Sequence, residues 1–198
     1  MIDHVIYATP DLDAAVAAFA REHGVSPEPG GRHLGFGTRN ALVGLGAHTY
    51  LELVGIDLQQ DVPPAGRLFG LDASFEPHFV AWCARANRSL DQTVAIARRA
   101  GYEPGDIIAM SRARPDGTTL SWTMTTPLGD REGGTLPFYI DWGTTPHPAA
   151  GLTAKLSLAA LTIVHPEPSR ICSILYALGE DTVGVEAGAT PGLLIMLD

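Results

Sequence analysis

The chain repeats one pattern of secondary structure about three times, and this repetition restricts its fold more than any single motif. Each copy begins with an apolar, β-branched strand and continues with a helix that ends at a glycine, at Gly24, Gly101 and Gly179. Glycine readily adopts the left-handed conformation that ends a helix. The three glycines are separated by almost equal intervals, which is typical of an internal repeat. The sequence therefore predicts a fold assembled from repeated strand and helix units.

The first copy, residues 1–57, predicts one strand, one helix and three further strands. Its opening segment is β-branched and apolar on both faces apart from His4, which is typical of a buried strand. Asp11 is a predicted helix N-cap, and apolar residues at helical spacing follow it. The strand is predicted at 2–8, the helix at 11–23, and the later strands at 31–37, 39–45 and 49–56.

The second copy, residues 72–143, predicts the same order after a link rich in proline and glycine at residues 57–70. Its helix begins with a capping box at Ser89-Leu90-Asp91-Gln92. Pro115-Asp116-Gly117 is a predicted turn between two strands. The predicted strands are 78–84, 106–113, 118–125 and 135–142.

The third copy, residues 152–198, is one strand short. Its last predicted strand would leave an unpaired sheet edge, which another part of the chain or a partner chain has to cover. We therefore expect a homodimer, or a third unit packed on or swapped with the first two. The predicted elements are a strand at 155–164, a helix at 169–178, and strands at 182–186 and 193–197.

Composition excludes several classes of partner. The 198 residues are 45% hydrophobic, which is enough for a substantial core, and 22 acidic against 13 basic residues give a net charge of −9. With no basic run, nucleic acid and anionic membranes are poor partners, and a small molecule fits better. The start of the chain lacks a basic segment before an apolar one, and the longest apolar run is too short to span a bilayer. A cytoplasmic location is expected.

Glu52 lies between Leu51 and Leu53 in a predicted strand. Successive strand side chains point to opposite faces, so if both leucines pack under a helix, the carboxylate points into whatever the other face encloses. A carboxylate in an enclosed space needs a proton, a cation or a metal beside it. Arg32 and Arg39 are alternative partners in a purely structural salt bridge.

Three segments, DHVIYATPDLDAA, GGRHLGFGTRNALVGLG and YLELVGID, resemble the glyoxalase-like domain proteins of the vicinal oxygen chelate superfamily. That superfamily includes glyoxalase I, extradiol dioxygenases and the bleomycin- and fosfomycin-resistance proteins. The resemblance covers residues 2–57 and, more loosely, 78–143. It implies an α+β fold in which tandem βαβββ modules curl a mixed sheet into a cup, with a partial third βαββ module. The most specific motif consists of His33, Gly35, Gly37, Thr38 and Asn40.

In metal-binding members of that superfamily, the first and fourth strands of each module place ligands inside the cup. The resemblance assigns these positions to His4 and Glu52 in the first module, and to His78 and Asp141 in the second. It implies a divalent metal such as zinc, nickel, manganese or iron. A shift of one residue in register would turn His78 to the other face. His4 can instead be a hydrogen-bonded core residue, and Asp141, where the superfamily usually has glutamate, can cap a turn.

Five further residues are candidates for binding a substrate. Arg32 and His33 follow two glycines and can bind an anion, or can be solvated residues that enter a hairpin. Trp82 and Tyr139 can line the cup, or can simply pack in the core. Asn40, which belongs to the resembling motif, is the fifth. Four other histidines lie beside helix ends or turns, where we expect exposed side chains: His23, His48, His147 and His165.

The resemblance implies a metal-dependent lyase or isomerase that acts on a small oxygenated substrate. A divalent metal with open positions polarises two neighbouring oxygens and stabilises the enediolate that forms when a proton leaves the adjacent carbon. Glu52 is then the candidate base. Because aspartate stands at the fourth ligand position, the alternative is a non-catalytic protein that binds or sequesters a small molecule, as drug-resistance members of the superfamily do.

Overall fold

The computed structural model of the chain describes most of the sequence, with short gaps. Three predicted features fall in those gaps: the turn at Pro115-Asp116-Gly117, the start of the second module at Asp72, and the strand start at Lys155. The described residues are 1–71, 75–113, 119–127, 131–153 and 156–198.

The described strands and helices follow the predicted order in all three copies. Asp11 caps the first helix, since its Oδ1 accepts a hydrogen bond from the Ala14 N–H at 3.0 Å. Ser89 caps the second, since its Oγ accepts one from the Gln92 N–H at 3.2 Å. The elements are β1 Ile2–Thr9, α1 Leu12–His23, β2 Glu28–His33, β3 Thr38–Gly44, β4 Tyr50–Ile56, β5 His78–Arg85, α2 Leu90–Arg99, β6 Ile107–Ala113, β7 Thr119–Thr125, β8 Phe138–Asp141, β9 Leu158–His165, α3 Pro168–Leu178, β10 Gly184–Ala187 and β11 Gly192–Leu197.

Two predicted strands are shorter or shifted. The strand predicted at 31–37 is Glu28–His33, because Gly35 and Gly37 adopt left-handed backbone conformations (φ 78° and 66°) in the turn that follows. The strand predicted at 135–142 is only Phe138–Asp141. It begins after Pro137, which has no N–H to donate to a neighbouring strand.

The first two modules form one eight-stranded sheet with the order β2-β3-β4-β1-β5-β8-β7-β6. Within each module the first and fourth strands pair in parallel, as β1 with β4 and β5 with β8. The two modules join through the antiparallel pair β1 and β5. The sheet curls until it is nearly closed, so that the outermost strands β2 and β6 approach each other. The predicted α+β fold of tandem βαβββ modules in a curled cup is confirmed.

The two faces of this sheet pack against different partners. Val5, Leu51 and Leu53 lie on the outer face, in a core shared with the helices. Ile6 and Val54 lie on the inner face, in a second apolar cluster inside the cup. Because side chains alternate along a strand, Glu52 lies on the inner face, between its two outward leucines.

The third module forms a separate sheet with the order β10-β9-β11. β9 pairs in parallel with β10 and antiparallel with β11. Ile163, Ile171 and Leu193 of this module lie in the same buried cluster as Leu51 and Trp82 of the first two modules. The third module therefore packs on the outer face of the eight-stranded sheet.

None of the helices in the described part of the chain has the length and apolar character needed to cross a membrane.

Candidate functional site

The inner face of the eight-stranded sheet lines a pocket that is partly open to solvent. The first module contributes its polar groups: His4, His33, Asn40 and Glu52. The lining from the second module is mostly apolar: Met110, Trp122, Met124, Phe138, Ile140 and Trp142, with Arg112 as its one charged residue among those described.

Glu52 is buried at the polar end of this pocket. Asn40 Nδ2 donates a hydrogen bond to Glu52 Oε1 at 2.6 Å, and His33 Nε2 lies 3.5 Å from the same oxygen. His4 Nε2 lies 3.7 Å from Oε2. The two imidazoles therefore flank different oxygens of one carboxylate.

Neither arginine considered as a structural partner of Glu52 contacts it. Arg32 pairs with Asp57 on the outside of the sheet, with its Nε 3.1 Å from Oδ2. Arg39 forms a two-point pair with exposed Asp13. Arg32 is therefore placed outside the pocket to which it was assigned as a substrate-binding residue.

His4 is held by its sequence neighbour. His4 Nδ1 lies 2.8 Å from Asp3 Oδ1, although adjacent strand residues normally point to opposite faces. The pairing of β1 with β5 changes register between Ile2 and His4, so the extra residue Asp3 forms a bulge that turns its side chain toward His4. With Nδ1 directed at Asp3, Nε2 is the His4 atom that faces Glu52 and the pocket.

Asp3 is completely buried and gathers polar contacts from distant parts of the chain. Its Oδ2 lies 3.1 Å from each of three donors, Arg85 Nε, Trp142 Nε1 and His147 Nε2. Burial alone would raise the pKa of Asp3, but the hydrogen bonds and charges of His147 and His4 lower it well below its usual range. Asp3 is therefore an ionised carboxylate that accepts the His4 Nδ1–H.

Asp3 is a site residue that was not predicted from the sequence, and two histidines predicted to be exposed are buried or nearly so. The only signal for Asp3 is its position beside His4, and strict alternation would have put it on the wrong face. His147, expected to be exposed, has a side chain that is only 9% exposed because it contacts Asp3. His165, also expected to be exposed, is only 2% exposed.

His33 is buried beside Glu52. Its Nδ1 lies 2.8 Å from Thr38 Oγ1, and its Nε2 lies 3.2 Å from Asn40 Nδ2. Burial lowers the pKa of His33; the Glu52 charge opposes this, while Arg112 and His4 add to it. At neutral pH His33 is therefore an uncharged imidazole that hydrogen-bonds to Thr38 and Asn40.

Two of the assigned metal ligands do not reach the pocket. His78 is exposed, and its Nδ1 lies 2.7 Å from the Glu76 carbonyl oxygen. Asp141 is also exposed, and its Oδ1 accepts the Gly143 N–H at 2.8 Å, so it caps a turn. The register of the second module places other residues of β5 and β8 on the inner face.

The two aromatic residues assigned to the pocket lie on the outer face instead. Trp82 is fully buried in the core under the helices, where its Nε1–H donates to the Thr135 carbonyl oxygen at 2.8 Å. Tyr139 lies in the same core. Alternation along β8 places its neighbours Phe138 and Ile140 in the pocket.

The donor groups do not fit the four-ligand metal site that the resemblance implies. The inner-face residues of β5 and β8 are Cys83 and Ile140, where the first module has His4 and Glu52. Within the described stretches, Asp3, His4 and Cys83 have ligand atoms within 4.8 Å of one another. Burial, with the nearby Asp3 and Glu52 charges, raises the pKa of the Cys83 thiol well above its usual range. Asp3 and His4 already hydrogen-bond to each other.

Comparisons with known proteins agree with this architecture. A hypothetical protein from Staphylococcus aureus has a similar structure, with a TM-score of 0.66, 18% identity, and coverage of 98% of this chain and 90% of that chain. Methylmalonyl-CoA epimerase from Streptomyces coelicolor is 20% identical over 75% of this chain and 98% of that chain, with a TM-score of 0.43. The epimerase from Mycobacterium tuberculosis is 16% identical over 70% and 84%, with a TM-score of 0.42. No curated protein gives a significant match.

At 18% identity, the likeness to the Staphylococcus aureus protein establishes only the fold. The sequence provides the more specific result, because the model of the glyoxalase-like domain family matches residues 2–179. The family predicted from the motif around His33 and Asn40 is therefore confirmed. The chain belongs to the glyoxalase-like domain family.

Proposed function

We propose that this protein is an enzyme that moves a proton on a small oxygenated substrate, as a lyase or isomerase of the glyoxalase-like kind. The observation that supports the proposal is the placement of Glu52. It is a buried carboxylate in the pocket inside the cup; the Asn40 amide donates a hydrogen bond to it, and the His4 and His33 imidazoles lie within 3.7 Å of it. An oriented carboxylate in a partly desolvated pocket is suited to removing a proton from carbon beside a carbonyl group.

In this proposal Glu52 takes the proton from carbon, and the electron pair of the C–H bond becomes part of an enol. His4 donates the proton on Nε2 to the substrate oxygen as the enol forms and takes it back as the enol collapses, while Nδ1 stays directed at Asp3. Asn40 holds Glu52 in place through its 2.6 Å hydrogen bond. Return of the proton to the same or the neighbouring carbon completes an isomerisation.

No step of the proposed reaction uses a resident metal, because the second module offers apolar side chains where ligands would be needed. We expect protein purified without chelator to contain less than one equivalent of zinc, nickel, manganese or iron by elemental analysis. A stoichiometric metal that is lost in a His4→Ala variant would contradict this part of the proposal and favour the metal-dependent form of the same chemistry.

Hydrogen exchange tests the reaction. Wild-type protein is incubated in D₂O with a panel of small 2-hydroxy ketones and 2-oxo acids, and loss of the C–H signal is followed by proton NMR. We expect exchange for at least one compound and a rate about 10³-fold lower in Glu52→Gln, because general base catalysis contributes this much. Glu22→Gln, a change at an exposed helical acid, is the matched control. No exchange across the panel would contradict the proposal.

The second candidate is a protein that binds a small molecule without changing it. The apolar lining from the second module supports this alternative, since it provides binding surface and no catalytic group. A ligand that binds tightly, is recovered unchanged and exchanges none of its C–H hydrogens with D₂O would favour binding alone.

We also propose that the protein is a homodimer. Leu194 and Met196 of β11 are 57% and 61% exposed, which leaves apolar side chains on the surface of the third module. Light scattering should give a mass of two chains for wild type and of one chain for a Leu194→Lys, Met196→Lys variant. A single-chain mass for wild type would contradict the dimer.

A further inference from the structure

Arg112 belongs to the second module, but its side chain reaches the polar residues that the first module contributes to the pocket. It lies on β6, at one edge of the curled sheet, and its Nη1 donates to Asn40 Oδ1 at 3.2 Å. The same Asn40 donates to Glu52 through Nδ2. Arg112 therefore brings a positive charge to the place where β2 and β6 approach each other, which we call the seam of the cup. Asn40 contacts both Arg112 and Glu52, the candidate base.

Two glycines of β2 make room for this arginine. A Cβ atom on Gly31 would lie 2.5 Å from Arg112 Cδ, and one on Gly30 would lie 2.8 Å from Nη1 and 2.0 Å from Asn40 Oδ1. Real Cβ atoms essentially never come this close to other atoms, so a side chain at either position would displace Arg112 or Asn40. Neither glycine has a positive φ, so space and not backbone conformation requires glycine here. Gly30 and Gly31 thus leave the space that the Arg112 side chain occupies.

The other residues that line the pocket define what a ligand must look like. Among the described lining residues, Arg112 is the sole lysine or arginine and Glu52 the sole acid. Burial lowers the pKa of the neighbouring His33, and the Arg112 charge adds to that effect. The rings of Trp122 and Phe138 line the same pocket, with the Phe138 and His4 ring centroids 5.5 Å apart. A guanidinium group and aromatic rings in one pocket match a molecule with an anionic head and an apolar body.

We propose that Arg112 recognises the carboxylate of the substrate, and that the substrate is a small carboxylic acid with an aromatic or branched apolar body. This assignment rests on the proposed function only in taking the same pocket as the substrate site. The carboxylate lies against Arg112 and Asn40, and the body lies against Trp122 and Phe138. The carbon between them then faces Glu52.

Binding of 3-phenylpropionate and of its neutral amide, measured by calorimetry, tests the proposal without requiring catalysis. We expect wild type to bind the acid more tightly than the amide. Arg112→Gln should weaken binding of the acid about 10- to 100-fold, which is the effect of losing one charged hydrogen-bonding partner, and should leave the amide unchanged. Arg112→Lys keeps the charge but loses the two-point hydrogen bonding of the guanidinium group. Its affinity for the acid should fall between those of wild type and Arg112→Gln. Arg99→Gln on the exposed face of α2 is the matched control.

Three results would overturn the proposal. They are equal binding of acid and amide by wild type, no binding of either compound at millimolar concentration, and an equal loss of both in Arg112→Gln. The last result would mean that Arg112 only holds the seam together. Glu52→Gln separates this proposal from the proposed function, because it removes the base but should keep or improve binding of the acid. Acid binding without hydrogen exchange in any compound would leave Arg112 as the recognition residue and reject the enzyme.

Discussion

The two modules that form the cup have the same strand topology and opposite chemistry. β1 pairs in parallel with β4, and β5 pairs in parallel with β8 in the same way. Yet His4 of the first module lies directly opposite Cys83 of the second in the paired strands. Glu52 on β4 has an apolar counterpart, Ile140, on β8. One half of the pocket can exchange protons, whereas the other can mainly exclude water.

This difference shows that a repeated backbone does not require a repeated site. Sheet hydrogen bonds join backbone groups and tolerate almost any side chain, so a second module can form the same strands with different residues on its inner face. A pocket with one polar wall and one apolar wall also orients its ligand. In the proposed binding mode, the carboxylate of the substrate lies against Arg112 and its apolar part against Trp122.

The strongest test of the comparison concerns two tryptophans of the second module. Trp82 is fully buried under the helices, whereas Trp122 is half-buried and lines the pocket. We expect Trp82→Ala to lower the free energy of unfolding by about 3–5 kcal/mol, as large deletions in a core do. Trp122→Ala should cost only about 1 kcal/mol and should weaken binding of 3-phenylpropionate. Urea denaturation and calorimetry measure the two effects, and equal losses of stability would contradict the assignment of faces.

Variants of His4 on β1 and Cys83 on β5, which lie opposite each other, test which module provides proton transfer. His4→Ala should lower the rate of hydrogen exchange about 100-fold, because it removes a proton-transfer group beside Glu52. Cys83→Ala removes only a protonated thiol and should change that rate less than about 3-fold. If both variants lose activity equally, the two halves contribute alike and the comparison fails.

Replacing Asp3 tests how the polar half is held together. Asp3→Asn should lower the free energy of unfolding at pH 7 by about 2 kcal/mol, because several donors lose a charged acceptor. The folded-state pKa of Asp3 lies below its unfolded value of about 3.9, so its contribution is complete above that pH and is lost as the pH falls further. The difference between wild type and variant should therefore shrink below about pH 4 in urea titrations. Asp141→Asn, at an exposed position, is the control.

The smallest effect is expected at the seam. Gly31→Ala places a Cβ in the path of Arg112 and should weaken binding of 3-phenylpropionate several-fold, with about 1 kcal/mol lost in stability. Gly192→Ala is a matched change in a strand where no atom lies within 4 Å of the new Cβ. Unchanged affinity in Gly31→Ala would show that Arg112 does not need the space beside Gly31.

Local signals in the sequence predicted the elements well. Helix starts at Asp11 and Ser89 and helix ends at Gly24 and Gly179 depend on atoms a few residues apart, and the structure has all four. The direction of Glu52 also followed from its two flanking leucines, because alternation along a strand is a local rule.

Side chains of the second module were harder to place. Trp82, Tyr139 and Asp141 were assigned to the pocket, and the structure places all three elsewhere. The connection between β5 and α2 is longer than that between β1 and α1, and β8 starts later than predicted, so the residues that face inward differ from those assigned. A one-residue slip reverses every side chain on a strand. No signal within either segment reveals that slip.

The sequence by itself determined the order of strands and helices, the family and the inward direction of Glu52, since each depends on neighbours in the chain or on a short motif. Only the tertiary structure decided that Asp3 turns toward His4, that the second module faces the pocket with apolar groups, and that Arg112 crosses the seam to Asn40. These features arise where strands from distant segments pair, because a bulge, a register and the closure of a sheet are set by both partners together.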